Sequence, residues 1–277
     1  MSATAPEQSV PEPRFAFGEN WLRFLKHVDE RRVDIAERSL RDTLGVEDLS
    51  GKSFLDAGAG SGLFSLVAAR LGASQVRSFD YDLDSVECAR QLKQRFAPDS
   101  EVWTIEAGDV TDPDYCAALG EFDVVYSFGV VHSTGAMWQA LDNLARAVAP
   151  GGLLFVSVYN DQEKASERWR KVKRLYNRLP VWLRPAFAAA AWSPFEAWYG
   201  VRGLIQVPRK YLRTWTRRDR GMSKWHDIVD WVGGYPFEVA RPEQVFDHCR
   251  ERGFELVGLK TVGGSLACNE FLFRKAR

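Results

Sequence analysis

The chain has few cysteines, and nothing in their spacing indicates a metal site or a disulfide framework. The 277 residues include four of them, Cys88, Cys116, Cys249 and Cys268. Unpaired cysteines favour a reducing compartment, so we expect a cytoplasmic protein without a resident metal ion. The first 14 residues are rich in Pro, Ser, Thr and Glu and lack the apolar core of a secretory signal. We expect residues 1–14 to be a disordered tail.

An excess of charge and long apolar runs are missing as well. Lys and Arg number 37, as do Asp and Glu, so the overall charge is zero and indicates no polyanionic partner. The longest apolar stretch, residues 185–205, is interrupted by charged residues and Pro194. It therefore predicts no membrane-spanning helix. A hydrophobic content of 45% and a charged content of 27% are typical of a globular protein. The length fits one large domain, or one domain with a substantial insertion.

From residue 53 onward the apolar pattern alternates between strand-like and helix-like segments. Short apolar runs predict strands at Ser53–Ala57, Gln75–Asp80, Val102–Ala107, Phe122–Phe128 and Gly152–Tyr159. Helical spacing predicts helices at Gly62–Leu71, Leu83–Phe96 and Met137–Val148. A turn is expected at Pro150-Gly151-Gly152. This alternation predicts an α/β fold with a doubly wound parallel sheet over residues 51–160.

Further elements flank this core. Two sets of apolar residues recur at helical spacing: Trp21, Leu25 and Val28, then Ile35, Ala36 and Leu40. They predict one or two helices over Trp21–Leu44, within an N-terminal helical cap of residues 15–50. Residues 241–277 predict a helix and two strands, at Pro242–Arg252, Phe254–Val262 and Leu266–Arg274. Residues 161–240 then form an insertion between the two parts of the core.

The most informative stretch is Phe54-Leu55-Asp56-Ala57-Gly58-Ala59-Gly60-Ser61-Gly62. It predicts a strand, a tight turn and a helix N-terminus, where glycines allow positive φ or close contact with a ligand. A dinucleotide fingerprint Gly-x-Gly-x-x-Gly would need a third glycine at position 63, which is leucine. The carboxylate of Asp56 would repel a pyrophosphate but attract an ammonium group.

This stretch resembles motif I of the class I S-adenosylmethionine (SAM) dependent methyltransferases, among them the ubiquinone-pathway O-methyltransferases. The resemblance covers roughly residues 50–160 and 240–275. It implies a Rossmann-like seven-stranded sheet, with the last helix and a β-hairpin completing the core. It also implies SAM as methyl donor and S-adenosylhomocysteine (SAH) as product. Two alternatives stay open: an NAD-linked oxidoreductase and a protein that binds SAM without catalysis.

The resemblance also implies cofactor contacts at the carboxyl ends of the strands. The implied residues are Asp56, Ala57, Gly58, Gly60, Gly62, Asp80, Tyr81, Gly108, Asp109, Val110 and Phe128. In relatives, the acid that matches Asp80 accepts the ribose hydroxyls, and the next residue packs on adenine. The counterpart of Asp109 lies near the adenine amino group. The alternatives are that Asp80 caps the following helix and that Asp109 is only a turn residue.

Methyl transfer to a hydroxyl requires alignment of donor and acceptor, and a general base that takes the proton. We predict His132 as this base, because it follows the fourth strand and its usual pKa suits proton uptake near neutrality. The alternative is a histidine that only hydrogen-bonds the backbone. The neighbouring pair His226 and Asp227 is a second candidate. Tyr159, at the end of the fifth strand, is predicted to orient the acceptor.

The insertion has a strong local charge. Residues 164–224 contain 16 Lys and Arg against three acids, together with many aromatic residues. One interpretation is a lid over a small-molecule, glycan or lipid-linked acceptor. Another is a membrane-contacting surface, which the resemblance to ubiquinone-pathway enzymes also implies. A third is a helical subdomain whose aromatic residues form a core. RNA binding would need a recognisable module, and none is legible. The sequence indicates no oligomeric state.

Overall fold

We examined a computed structural model of the chain. The structure describes residues 15, 17–194 and 224–277, and for residues 224, 226, 227 and 230 only the backbone. Its centre is a seven-stranded sheet in the order β3-β2-β1-β4-β5-β7-β6. The strands are β1 Ser53–Ala57, β2 Gln75–Asp80, β3 Trp103–Ala107, β4 Phe122–Ser127, β5 Val148–Tyr159, β6 Phe254–Lys260 and β7 Cys268–Lys275.

The first five strands run parallel, and the last two are antiparallel to their neighbours. The strand β1 pairs with both β2 and β4, so the direction of winding reverses between β1 and β4. The strand β7 lies between β5 and β6 and is antiparallel to both. In open α/β sheets, ligands bind beyond the carboxyl ends of the strands at such a reversal. The predicted doubly wound α/β fold is confirmed, with its closing β-hairpin.

Helices cover both faces of the sheet. They are α1 Gly18–Leu25, α2 Glu30–Leu44, α3 Leu63–Arg70, α4 Leu83–Phe96, α5 Pro113–Ala118, α6 Met137–Arg146, α7 Lys164–Arg178, α8 Lys224–Gly233 and α9 Pro242–Arg250. Residues 184–194 are helical too. The sequence did not predict α5, because six residues are too few for a visible period. Its signals were the cap Asp112, which accepts from two backbone N–H groups, and Pro113 in the first turn.

The expected turn at Pro150-Gly151-Gly152 is wrong, because β5 begins at Val148 and runs through it. Residue Val148 pairs with Phe122, but the next pair joins Leu153 to Val124, so the register shifts there. The extra residues form a bulge, which a glycine with positive φ, such as Gly151 at +78°, allows. A bulge and a turn have the same composition, so only the pairing distinguishes them.

The N-terminal helices share a hydrophobic core with the sheet. The buried residues of α2 recur every three or four positions, at Val33, Ala36, Leu40 and Leu44. They belong to one cluster with buried side chains of β1, α3 and β2. The expectation that Ile35 lies on this face is wrong, because it is 37% exposed. The apolar stripe passes through position 33 instead.

The described part of the insertion has a small core of its own. It joins Trp169 and Tyr176 of α7 to Val232 of α8 and to Tyr235 and Phe237 beyond it. Of the interpretations of the insertion, a helical subdomain with an aromatic core matches this part. Residues 195–223, which hold much of the predicted basic and aromatic surface, lie outside the described residues. Among the helices that are described, none is both long and apolar enough to cross a bilayer.

The shared core makes a prediction about stability. The substitution Leu40→Ala removes a fully buried side chain and should lower the free energy of unfolding by about 2–5 kcal/mol. Ile35→Ala, on the exposed side of the same helix, should change it by less than about 1 kcal/mol. Urea denaturation of both variants measures the difference. Equal effects of the two substitutions would show that α2 does not pack on the sheet as described.

Candidate active site

The glycine turn after β1 places backbone without side chains at the carboxyl ends of the strands. All three glycines have positive φ, including +76° at Gly58 and +75° at Gly62. A Cβ atom at Gly58 would lie 2.4 Å from the Cγ2 atom of Val130, and one at Gly62 would lie 2.8 Å from the Cβ of Ala89. The backbone N–H of Gly58 donates to the carbonyl of Phe79 at 2.9 Å, which anchors the turn to β2. Side chains are thus excluded by both conformation and space.

A cavity of about 1060 Å³ lies at the carboxyl ends of β1, β2 and β4, beside this turn. Pockets for drug-sized ligands measure about 300–1,000 Å³, so the cavity is at the upper end of that range. One part of its lining, the strand-end wall, comprises Gly58, Gly60, Asp80, Tyr81, Gly108, Asp109, Val110, Phe128 and Gly129. Another part, the aromatic wall, comprises Phe15, Phe17, Tyr159, Trp192, Ile228, Trp231 and Tyr235.

Asp80 joins the glycine turn to the loop between β2 and α4. Its Oδ2 atom accepts from the backbone N–H of Gly60 at 2.9 Å, and its Oδ1 atom accepts from that of Asp82 at 2.9 Å. Burial raises the pKa of Asp80 to about 6, against the lowering effect of these bonds. The helix α4 is capped by Asp82 rather than by Asp80. Each oxygen of Asp80 keeps a second lone pair that can accept a ligand hydroxyl.

Asp56 lies behind the cavity surface, not on it. Its side chain is buried and accepts from the hydroxyl of Ser65 at 2.5 Å. Burial raises the pKa of Asp56 to about 7; the Ser65 hydrogen bond opposes this rise, and the charge of Asp80 adds to it. Asp56 can therefore influence a cation in the cavity only through its charge, not through contact. Of the other predicted cofactor residues, Ala57 and Gly62 are likewise not part of the lining.

Asp109 combines two of the predicted roles. Its Oδ1 atom accepts from the backbone N–H of Thr111 at 2.8 Å and from the hydroxyl of the same residue at 2.7 Å. This is the geometry of a turn residue. Asp109 also lines the cavity, between Gly108 and Val110. At the rim, the ring of Tyr81 is 61% exposed and lines the cavity as well.

Comparison with known proteins agrees with this architecture. The family model described as "Methyltransferase domain" matches residues 48–224, more than half of the chain. The chain belongs to the class I SAM-dependent methyltransferase family. SAM is therefore its cofactor. The site fits that molecule: a turn that excludes side chains, buried carboxylates near a cationic ligand, and an acid at the end of β2.

The methyltransferase resembles enzymes with different acceptors. It is 31% identical over 172 residues to the ubiquinone biosynthesis O-methyltransferase of Parvibaculum lavamentivorans, covering 60% of this chain and 62% of that one. It is 35% identical over 109 residues to the ribosomal protein L11 methyltransferase of Burkholderia multivorans, covering 39% and 32%. The chain spans only part of the length of these curated relatives: 48% of the ubiquinone biosynthesis O-methyltransferase from Rhizobium etli and 62% of the one from Parvibaculum lavamentivorans.

Solved structures share the fold. Magnesium protoporphyrin IX methyltransferase from Synechocystis, with bound SAH, gives a TM-score of 0.53 at 14% identity and covers 94% of both chains. An O-methyltransferase family protein from Burkholderia thailandensis gives a TM-score of 0.54 at 12% identity, covering 94% of this chain and 58% of that one. At such identities the likeness concerns the fold alone.

The predicted base His132 is buried, with 1% of its surface exposed, and does not line the cavity. Its Nδ1 atom lies 3.1 Å from the carbonyl oxygen of Ser157, to which it must donate. Burial, together with the charge of Lys173, lowers the pKa of His132 to about 3, although the hydrogen bond to Ser157 opposes this shift. The ring packs at 4.0 Å on Tyr159, which does line the cavity. This placement matches the alternative of a histidine bonded to backbone.

The other predicted catalytic residues are placed differently. The backbones of His226 and Asp227 lie in α8, while their side chains fall outside the described residues. Tyr159 is part of the aromatic wall. Its ring lies 5.4 Å from that of Trp231 and 5.1 Å from that of Phe237. Among the described residues no group of acids, histidines and cysteines could hold a metal ion.

The sequence analysis missed the contribution of the N-terminal segment. Phe15, Phe17 and Trp21 line the cavity although they precede the core by more than 30 residues. The backbone N–H of Phe15 donates to the carbonyl of Tyr235 at 3.0 Å, and that of Gly18 donates to Asp82 at 2.8 Å. The segment thus crosses the cavity from one wall to the other. The feature of the sequence that could have indicated this contribution is the presence of three aromatic residues in a short stretch.

Asp56 should make the ligand-free protein less stable as pH rises. Its pKa is about 7 in the fold, above the usual 3.8, so the unfolded state ionises first between these values. Asp56→Asn keeps an oxygen for Ser65 and removes the charge. It should raise the melting temperature at about pH 8, with the gain vanishing towards about pH 4. Differential scanning fluorimetry across this range measures the effect.

The same variant should bind SAM several-fold more weakly at about pH 8, because it loses a negative charge near the ligand's cationic groups. Calorimetric titration with SAM checks this. A variant that is less stable than the wild type at high pH, or that binds SAM equally well, would contradict the assignment.

Proposed function

We propose that the protein transfers the methyl group of SAM to an oxygen atom of a neutral, mainly apolar aromatic molecule. The observation that carries this proposal is the cavity, in which the strand-end wall adjoins the aromatic wall. SAM supplies an electrophilic methyl group on a sulfonium centre. The similarity to ubiquinone biosynthesis O-methyltransferases supports transfer to oxygen in this chain as well.

The charges around the cavity support a neutral acceptor. Within the described lining, the charged side chains are Asp80, Asp82, Asp84 and Asp109, all on or next to the strand-end wall. The aromatic wall presents rings and one isoleucine. Among the lining residues that the structure describes, an anionic glycan or a phosphorylated lipid would find no cation, and burying its charge unpaired would be costly. A flat apolar ring can stack on these side chains.

The two walls have different roles in the proposed reaction. The glycine turn and the carboxylate of Asp80 hold the donor, with the ribose hydroxyls donating to Asp80. The ring of Tyr81 can cover the adenine at the rim. The aromatic wall orients the acceptor and excludes water, which is the main contribution that an in-line methyl transfer needs. Tyr159, between His132 and the cavity, can hydrogen-bond the reacting oxygen.

The proton of the acceptor hydroxyl needs a base, and three residues remain proposals for it. A group with a pKa of about 3, as His132 has, is a weak base near neutrality. His226 and Asp227 belong to α8, which also carries Ile228 and Trp231 of the aromatic wall. We therefore propose this pair ahead of His132. We also propose a cytoplasmic location, supported by four cysteines that form no disulfide with one another.

A neutral alkylcatechol should be a substrate. With radiolabelled SAM, the wild type should form the O-methyl ether, whereas a dihydroxybenzoate of similar shape should react with a kcat/KM at least about tenfold lower, because its carboxylate is buried unpaired. Asp80→Ala should abolish measurable SAH binding and turnover together. If SAH binds but no alkylcatechol is methylated, the proposed acceptor class is wrong; a faster reaction of the benzoate would also contradict it.

A second proposal concerns the membrane. The end of α7 and the turn after it expose three apolar side chains, Leu175, Val181 and Trp182, the last two to 74% and 76%. The exposed cations Lys171 and Arg178 lie beside them in sequence. Aromatic and basic residues together favour the surface of an anionic bilayer. Contact with a membrane would suit an enzyme whose apolar acceptor dissolves in lipid.

Vesicle binding tests this second proposal. The wild type should co-sediment with vesicles of phosphatidylcholine and phosphatidylglycerol, and binding should weaken in high salt. The double variant Val181→Ser, Trp182→Ser should bind at least about tenfold more weakly. The matched control is Val257→Ser, Leu259→Ser, which changes two exposed apolar residues of β6. Equal binding of both variants, or no binding by the wild type, would contradict a membrane surface at α7.

A further inference from the structure

One face of α7 carries hydrogen-bond donors that point at a single segment of the chain. Four donors recur at positions i, i+3, i+4 and i+7, the spacing of one helix face: Arg170, Lys173, Arg174 and Asn177. Each donates to the segment from Trp231 to Phe237, which comprises the end of α8 and the loop after it. We call these four side chains the α7 donor stripe. Basic residues of the insertion therefore serve an internal purpose.

The bonds of the stripe reach three backbone carbonyls and one hydroxyl. Lys173 donates to the carbonyl of Trp231, Asn177 to that of Gly233 at 2.7 Å, Arg174 to the hydroxyl of Tyr235 at 3.1 Å, and Arg170 to the carbonyl of Phe237 at 3.2 Å. Carbonyls in the last turn of a helix lack intrahelical partners, and cations are favourable there. The stripe thus caps the C-terminal end of α8 and anchors the loop that follows it.

Lys173 is the centre of this contact. Its side chain is fully buried, a placement that requires compensation of its charge. The Nζ atom lies 4.4 Å from the ring centroid of Trp231 and 4.8 Å from that of Phe237. The ammonium group thus bonds the backbone of Trp231 and also faces its ring, which fixes the orientation of the indole.

The far end of the segment is tied to the core. The Oε2 atom of Glu238 accepts from the backbone N–H of Gly135 at 2.8 Å, and its Oε1 atom accepts from that of Met137 at 3.2 Å. Its own N–H donates to the carbonyl of His132 at 2.9 Å. The segment is therefore fixed by the core at one end. Its cavity-lining part, with Trp231 and Tyr235, is held by α7 and by the bond from the N–H of Phe15 to the carbonyl of Tyr235.

We propose that the α7 donor stripe is a specificity device: Lys173 and Arg174 position Trp231 and Tyr235, and thereby set the affinity for the acceptor without touching it. This inference rests on the proposed function, because it takes the aromatic wall as the acceptor site. The four bonds of the stripe go to residues 231–237, and none of these residues belongs to the strand-end wall. Loss of a hydrogen-bond donor of the stripe should therefore weaken binding of the methyl acceptor and leave binding of SAM unchanged.

The test compares Lys173→Met and Arg174→Gln with the control Arg168→Met, an exposed residue of the same helix. Lys173→Met keeps the length of the side chain and removes its donor, while Arg174→Gln, at a less buried site, remains informative if the first variant does not fold. With an alkylcatechol, both should raise KM about tenfold, and kcat should change by less than about twofold. The affinity for SAH, measured by calorimetry, should match that of the control.

Amide hydrogen exchange provides a reading that needs no acceptor. In both stripe variants the amides of residues 231–238 should exchange faster, while those of β1 and β4 keep their protection. Unchanged exchange and KM, or a parallel loss of SAH affinity, would overturn the proposal. If the wild type does not methylate the alkylcatechol, the proposed function fails, and hydrogen exchange decides alone: faster exchange confined to residues 231–238 supports a positioning stripe, and unchanged exchange refutes it.

Discussion

The cavity depends on the carboxylate of Asp80, which accepts from two backbone N–H groups on opposite sides. One belongs to Gly60 in the glycine turn and the other to Asp82 in the next loop. Asp82 in turn accepts from the N–H of Gly18, the start of the first helix. Three segments far apart in sequence thus meet at two neighbouring acids. These bonds therefore fix the glycine turn, the loop after β2 and the N-terminal segment at the cavity relative to one another.

This arrangement has an energetic consequence. Asp56 is buried and Asp80 is partly buried, and each has a pKa above its usual value. Their ionised forms are stabilised only by a few hydrogen bonds and repel each other. A cationic ligand beside them would relieve this repulsion, and that relief would add to its affinity. Function and stability therefore make opposite demands on the same two side chains.

Local patterns predicted the parts of the molecule that local forces determine. The strands β1 and β2 and the helix α4 have the predicted bounds, because their apolar runs and caps lie within the segments themselves. The bulge in β5 depends on pairing with β4, and the short helix α5 has too little sequence for a period. Position 35 faces solvent because the sheet lies nearer position 33. None of these three follows from a segment considered alone.

The same limit applied to the site. The strand-end wall could be predicted because strand order brings the carboxyl ends of neighbouring strands together. Tyr81, Asp80 and Asp109 all line the cavity. The environment of His132 could not be predicted, because its burial is produced by residues such as Tyr159 and Glu238 from distant parts of the chain. A histidine's usefulness as a base depends on that environment more than on its position after a strand.

The insertion shows why local charge is a poor guide to partners. A basic segment is expected to meet an anion, a membrane or water, and the sequence offers no way to choose. In the structure, Arg170, Lys173 and Arg174 donate to carbonyls and a hydroxyl of the protein itself. Cations are the donors best suited to the carbonyls at a helix end, and their aliphatic stems pack among aromatic rings. An aromatic wall built this way presents apolar surface to the cavity while its supporting charges stay behind it, so a strongly basic segment can form a site for an uncharged molecule.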